Sequence, residues 1–412
     1  MMFHGLAGKR QDVTPLGAQF FADNGYAVFA ADARGHGQSG GLVSIDGPRE
    51  IQDVRELFQW LRARAEISDT KIGAWGISLG GGAVLRSLVD GIPFAAAETV
   101  QTWTDLYMAL APQNLAKSGQ IFSFLSSVPS DRLAPEVKAI THDAMLSTHM
   151  AKLKAFARVR SSRQALGRVT TPVFMFQGRR DFAFDLQQAK NAMKLLRGPH
   201  RLYIGDFGHA PSTFPGPDVV PMMTRARLWF DQYLKGANDG MPSGWFDIAS
   251  NPFRGNTLMP RLPKTHLAAT SLRGRRTIGA SGRIVRTGGP LRRRIETFGS
   301  GTVRATVRLR GGWQRVVAVV TAKPRHGSEI VVTEGGVNTR GLRGRHRLAI
   351  HLIDQATLLP AGSRLRVYLA DTSMDQSSAN LLYLDLPEPR GAKLTVERMK
   401  LSLRVLRHPI SR

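Results

Sequence analysis

The sequence predicts two successive fold classes: an α/β region on a doubly wound parallel sheet, followed by an all-β sandwich. Three observations predict them. Up to about residue 240, short apolar runs alternate with longer segments of helical periodicity, the pattern of βαβ units. Beyond that point Gly and Pro become frequent, helical periodicity disappears and short alternating runs follow one another between turns. The charge changes in the same place: residues 241–412 carry 30 Lys and Arg against 10 Asp and Glu, whereas residues 1–240 carry 27 against 21. Two domains, 1–240 and 241–412, are therefore expected, joined through the Gly- and Pro-rich stretch from Gly236 to Pro263.

In chain order, the strands expected of the first region are Met1 to His4, Ala27 to Asp32, Lys71 to Gly76, Phe94 to Glu98, Val173 to Gln177 and His200 to Gly205. Ile51, Val54, Leu57, Phe58 and Leu61 recur at helical spacing, and Pro48 and Glu50 sit in the first turn after Asp46, as helix starts prefer. Residues 103–165 interrupt the alternation with a helix-rich insertion, read as a lid over the sheet edge. The first strand has few residues before His4, short against a usual strand of about five or six. The chain thus reads as beginning inside its own fold, with earlier strands and a signal peptide upstream, or else as having an uncovered sheet edge. In the second region Arg315 to Ala322, Arg347 to Ile353, Arg364 to Leu369 and Lys400 to Leu406 read as strands.

Composition narrows the function. With 0 Cys there is no disulfide framework, thiolate metal site or cysteine nucleophile. No apolar run reaches the ~18 residues of a membrane-spanning helix. The sequence as it stands reads as cytoplasmic, and as secreted only with an upstream N-terminus. The net charge of +26 suits a polyanion partner, but the positive residues, Arg304, Arg308 and Arg310 among them, alternate singly along strands. That is the pattern of a solvated sheet face, and no specific nucleic acid is expected. Oligomeric state is not legible.

The chemistry concentrates in three places. Gly76-Ile77-Ser78-Leu79-Gly80 is a G-x-S-x-G pentapeptide between an expected strand and an expected helix, the context that gives the motif its meaning: the glycines permit a sharp turn that lifts the Ser78 hydroxyl over the sheet edge. A hydroxyl is a weak nucleophile, so it needs a base within reach, and the base needs a partner to fix its tautomer. His209, in the loop after the last expected strand, is the base. Asp181, in the loop after Val173 to Gln177, is the acid. Asp185 is a rival but directly precedes a helical run and reads as its N-cap; Asp206 is a second rival, awkwardly close to His209 on one turn. The oxyanion donors expected are the Leu79 N–H and, from His4-Gly5-Leu6-Ala7-Gly8, the Leu6 N–H. Trp103, Tyr107 and Met108 are candidate pocket residues, with plain lid packing as the alternative. The loop Asp32 to Gly40 lacks the ending of a phosphate loop and reads as a structural turn. His142 and His149 share a helix face without a completing carboxylate, so no metal is expected.

Together these residues resemble the cocaine-esterase and Xaa-Pro dipeptidyl-peptidase family of α/β-hydrolases. The likeness runs through the elbow at Ser78, Gln177 to Asp181, Gly208-His209 and the stretch Leu359-Pro360-Ala361-Gly362-Ser363-Arg364-Leu365-Arg366-Val367. It implies an α/β-hydrolase fold with a helical lid insertion, a C-terminal jelly-roll-like sandwich, and acyl transfer through Ser78 without a cofactor. Members resemble one another in a tyrosine oxyanion donor, and the matching segment His4 to Arg10 has no tyrosine; nor does the sequence offer an acidic pair for a free amino group. The expectation is therefore hydrolysis of a carboxylic ester, with an Xaa-Pro dipeptidyl-peptidase as the alternative and a small-molecule or peptide acyl substrate in either case. A non-catalytic binding protein using the basic β-domain is the reading from another class.

Overall fold

Alternation along the first strands sets the layering. In a computed structural model describing residues 1–373 and 382–411, the short β1 (Met2–Phe3) pairs in parallel with β2 (Gly73–Ile77), then β3 (Ala96–Val100), β4 (Val173–Gly178), β5 (His200–Gly205) and β6 (Phe246–Ala249) follow in sequence order, and β7 (Asn256–Met259) closes the sheet antiparallel. Odd and even residues face opposite sides, as the pleat requires. On β4, Val173 and Met175 join one apolar cluster while Phe174 and Phe176 join another. Helices cover both faces, so β2, β3 and β4 are buried throughout and β5 and β6 in all but their first residues, while the edge strand β7 is not buried.

Of the helices, α1 (Gln19–Asp23) contributes Phe21 to the second cluster, and α2 (Pro48–Arg62) contributes Val54, Phe58 and Leu61 to the first. The start of α2 is fixed by Glu50, whose carboxylate accepts from Ser44 N at 2.6 Å and Gly47 N at 3.2 Å. α3 (Leu79–Val89) follows the Ser78 turn. The lid holds α4 (Leu106–Leu110), α5 (Ser118–Ser126), α6 (Pro135–Leu146) and α7 (Met150–Arg158). α8 (Leu186–Leu195) packs on the first face and α9 (Val219–Leu234), with Trp229 and Phe230, on the second.

Two expectations need correction. Ala27 to Asp32 forms no ladder: its pairing is the single bridge of Ala30 to Met2, with Met2 N donating to Phe29 O at 2.8 Å. A strand as short as β1 offers too few backbone groups for a longer one. The stretch expected to be linker contains β6 and β7, so the change of sheet falls after Met259 rather than at residue 240. Its glycines and prolines mark turns around two short edge strands.

The remainder is antiparallel and all β. Four strands order as Ile284–Pro290, Arg364–Ala370, Arg315–Lys323 and Ile330–Asn338. They face a seven-stranded sheet built around the long strand Lys393–Leu406. Inward residues of both sheets, among them Val303, Val307, Val316, Val320, Val367 and Leu401, share one apolar core, which makes the pair a sandwich.

Candidate active site

Sheet connectivity brings the chemistry to one edge. β2 ends at Ile77, and Ser78 follows with φ 53° and ψ −115° before α3 begins, a backbone that stores strain in a residue other than glycine. A Cβ on Gly76 would lie 2.2 Å from the Gly80 carbonyl oxygen, and one on Gly80 2.3 Å from that of Phe3. No side chain fits at either position, so the spacing of the pentapeptide is dictated by backbone contact. Ser78 N donates to Val100 O at 2.9 Å and the Thr102 hydroxyl donates to Ser78 O at 2.8 Å, which hold the turn in place.

The loops after β4 and β5 deliver the other two residues. Ser78 Oγ lies 3.0 Å from His209 Nε2, and His209 Nδ1 lies 2.7 Å from Asp181 Oδ2. With the proton on Nδ1 donated to the carboxylate, Nε2 is left as the acceptor for the serine hydroxyl. Asp181 is wholly buried and saturated: Oδ2 also accepts from His209 N at 3.1 Å, while Oδ1 accepts from Ala183 N at 3.0 Å and Phe184 N at 2.9 Å. Its position is therefore fixed on both sides. Gly208 has φ 145°, and a Cβ there would sit 2.9 Å from Asp181 Cβ; the glycine before His209 lets the two loops close. Phe124 and Phe184 meet the His209 ring edge to face at 5.6 and 5.1 Å.

A cavity lies against Ser78 beneath the lid. Leu6 and Leu79 flank Ser78 in its wall, and Gly5 brings the Leu6 turn close enough that a Cβ on it would lie 3.6 Å from Ser78 Cβ. Neither the Leu6 N–H nor the first N–H of α3, at Leu79, has a protein acceptor among the described residues. Two donors beside the hydroxyl, a base in reach and an oriented acid are the parts acyl transfer requires.

The sequence model of the X-Pro dipeptidyl-peptidase (S15) family matches residues 4–211, half of the chain and all three of these residues. The chain belongs to the S15 family. Among solved structures it is similar to a CocE/NonD family hydrolase from Staphylococcus aureus (TM-score 0.73, 14% identity, 98% of this chain and 88% of that one). It is also similar to an α-amino acid ester hydrolase (TM-score 0.63, 14% identity, 95% and 87%). At such identity the likeness is one of fold. Among curated proteins it is similar to a quorum-quenching protein of Acinetobacter baumannii (28% identity over 158 residues, 36% of this chain). The chain spans 51% of that relative's length and 39% of an uncharacterized 31.7 kDa protein of Escherichia coli that it also matches.

Other expectations for this S15 chain meet the structure unevenly. Asp185 stands before α8, but its carboxylate makes no cap bond; Oδ2 accepts instead from Asp354 N at 3.0 Å, and burial raises its pKa to about 6. Asp206 turns away from His209 and accepts from Asn251 Nδ2 at 2.5 Å. Trp103 and Tyr107 line the cavity, whereas Met108 is 51% exposed and outside the lining. One residue after Tyr107 on α4 is a turn of ~100°, enough to point Met108 outward. In the loop Asp32 to Gly40, Asp32 accepts from Arg10 N at 2.6 Å and Gln38 N at 2.9 Å, anchoring a turn. His149 pairs with Asp143 at 2.6 Å, and among the described residues no cluster is arranged to hold a metal ion. Sequence reasoning missed Phe124, Phe184 and the buried Lys117. Only Phe184 carried a local signal, three residues after Asp181.

Proposed function

We propose that this protein is a serine hydrolase that cleaves a carboxylic ester through an acyl-enzyme on Ser78. The observation that carries this reading is the relay from Ser78 Oγ to His209 Nε2 at 3.0 Å and from His209 Nδ1 to Asp181 at 2.7 Å, on a nucleophile held at positive φ. Ser78 Oγ attacks the acyl carbon while His209 takes its proton, and the N–H groups of Leu79 and Leu6 receive the oxyanion. Collapse expels the alcohol with the proton from His209; water then enters, His209 takes its proton, and the acid leaves as Ser78 is restored. Asp181 holds the imidazole in its tautomer and stabilises it when protonated.

The family description favours a second reading, cleavage of an X-Pro peptide. The ester reading stands first because no charged side chain lines the cavity among the described residues, so a free amino terminus has no counter-charge there. The test is hydrolysis of p-nitrophenyl acetate and of an X-Pro anilide by wild type and Ser78→Ala, with a methylphosphonate probe read by intact mass. Expected are ester turnover, one adduct per chain on Ser78, and loss of about 10⁴–10⁶ in kcat in the variant. A folded wild type that neither turns over nor takes the label defeats the reading, and turnover of the anilide alone selects the peptidase.

A further inference from the structure

We infer that the acyl half of the substrate is an uncharged aliphatic chain running from Ser78 into the cavity beneath the lid; this rests on the serine-hydrolase reading and adds the substrate class. Much of the wall is built by the lid: Ile121 of α5, Val137, Ile140 and Ala144 of α6, and Leu153 and Phe156 of α7. None offers a hydrogen bond. The lining side chains that carry a polar atom besides Ser78 are Trp103 and Tyr107, and both are engaged elsewhere. Trp103 Nε1 donates to Arg160 O at 2.8 Å, and the Tyr107 hydroxyl donates to Asn114 Oδ1 at 2.6 Å. A hydroxyl or amide of a substrate placed there would lose its water and gain nothing, at a cost of roughly 5- to 150-fold each in affinity. An ammonium group would fare worse.

Charges behind the wall do not reach in. Asp46, Glu50 and Arg160 are buried beside it but outside the lining; Glu50 accepts from Ser44 N and Gly47 N, and Arg160, 3.5 Å from the Phe156 ring centroid, donates to Ser44 O. A second observation concerns Ile45, which does line the cavity. Its φ is 59°, followed by 55° at Asp46. For a β-branched residue that is an outlier, maintained only where the surroundings over-determine it, and such strain gathers at sites of function. Here it presents an aliphatic side chain beside Leu6. The enclosed half must be the acyl half, because the alcohol has to depart between the two chemical steps while the acyl group stays attached to Ser78 through both.

The experiment measures kcat/KM for p-nitrophenyl acetate, butyrate, hexanoate, octanoate and ω-aminohexanoate on wild type, beside the methylphosphonate label. The expected result is a rise of about fourfold per added methylene until the cavity is full, and a loss of at least a hundredfold from hexanoate to ω-aminohexanoate. In Ala144→Phe, which intrudes on the cavity from α6, the octanoate-to-acetate ratio falls at least tenfold, a ratio independent of how much protein is folded. Should that variant fail to fold, the wild-type series decides alone. A flat series, or equal use of hexanoate and ω-aminohexanoate, overturns the chain assignment while a labelled Ser78 leaves the serine mechanism standing. Absence of the label overturns both.

Discussion

The loop from Gly178 to Leu186 has two faces with opposite uses of charge. Toward the sheet edge it presents one carboxylate, Asp181, whose oxygens meet only N–H donors and whose partner His209 reaches Ser78 in the wall of an apolar cavity. Toward the β-sandwich it is gripped by dry ions. Arg179 pairs with Glu296, both side chains fully buried, and Glu296 also accepts from Ile410 N at 2.6 Å and Ser411 N at 2.8 Å. Lys117 reaches from the lid to donate to the carbonyls of Phe182 at 2.6 Å and Ala183 at 3.1 Å. Asp185 faces Asp354, which Lys190 neutralises at 2.7 Å. One face fixes a proton's position and the other fixes the loop. Because Asp181 stands between Arg179 and Phe182 in the chain, the seam of lid, loop and sandwich holds the carboxylate that the proposed mechanism uses to orient His209.

The sharpest contrast is expected between the two faces when each loses one charge. Asp181→Asn keeps the size of the side chain but lets His209 take the wrong tautomer, so kcat falls by about 10⁴ while the protein stays folded. Steady-state kinetics beside a thermal melt read both quantities. Arg179→Met does the reverse. Glu296 is left buried without its cation, and unfolding free energy in denaturant drops by about 3–5 kcal/mol. In the double variant Arg179→Met, Glu296→Gln part of that loss returns, since a neutral amide needs no counter-cation and can still accept from Ile410 N and Ser411 N. If Asp181→Asn unfolds the protein, or Arg179→Met leaves stability unchanged, the division of labour between the faces is wrong.

How much of this was legible followed distance along the chain. Ser78 and its flanking glycines belong to one turn, and Gly208 before His209 is needed for a local close approach, so both left short motifs. The strands from β2 to β5 and the helix α2 announced themselves by periodicity. What the sequence concealed are pairings with no local grammar. Arg179 and Glu296 are 117 positions apart, and nothing near either names the other. Lys117 reads as one more lid lysine until its burial is known. Asp185 had the position of an N-cap, but a backbone N–H from the sandwich competes for its carboxylate. β6 and β7 were hidden by turn residues, because two short edge strands and a linker share a composition. Ala27 to Asp32 shows the opposite error: strand-like residues whose neighbour offers almost no backbone to pair with.

A smaller effect separates the faces by pH. Burial, the dominant cause, lifts Glu334 to about 8, with the Lys117 charge opposing it. Its folded-state value is thus above its unfolded one, so the native state binds the proton more tightly. Stability contributed by that proton is fully present below about pH 4.5 and is lost as pH rises toward 8, at no more than about 1.4 kcal/mol per pH unit. Lys117, lowered by burial, adds a slope of opposite sign on the alkaline side. In Glu334→Gln the decline between pH 5 and 8 flattens, and denaturant midpoints at three pH values measure it. An unchanged slope would remove Glu334 from the account of the seam.

The smallest effect is expected at Met108, which tests where the cavity wall ends. Its neighbours Leu106, Tyr107 and Leu110 line the cavity, while Met108 lies half exposed on the far side of α4 and its backbone N–H caps onto Asp105 Oδ1 at 3.0 Å. A side chain that touches neither substrate nor core contributes little, so Met108→Ala should shift stability by no more than about 0.5 kcal/mol. The octanoate-to-acetate ratio should stay within about twofold of wild type. Leu110→Ala is the matched control: it widens the cavity from the same helix and should lower the ratio, because each lost contact weakens the hold on a long chain more than on acetate. If Met108→Ala moves the ratio as far as Leu110→Ala does, α4 turns when substrate binds, and the apolar wall is larger than the one seen here.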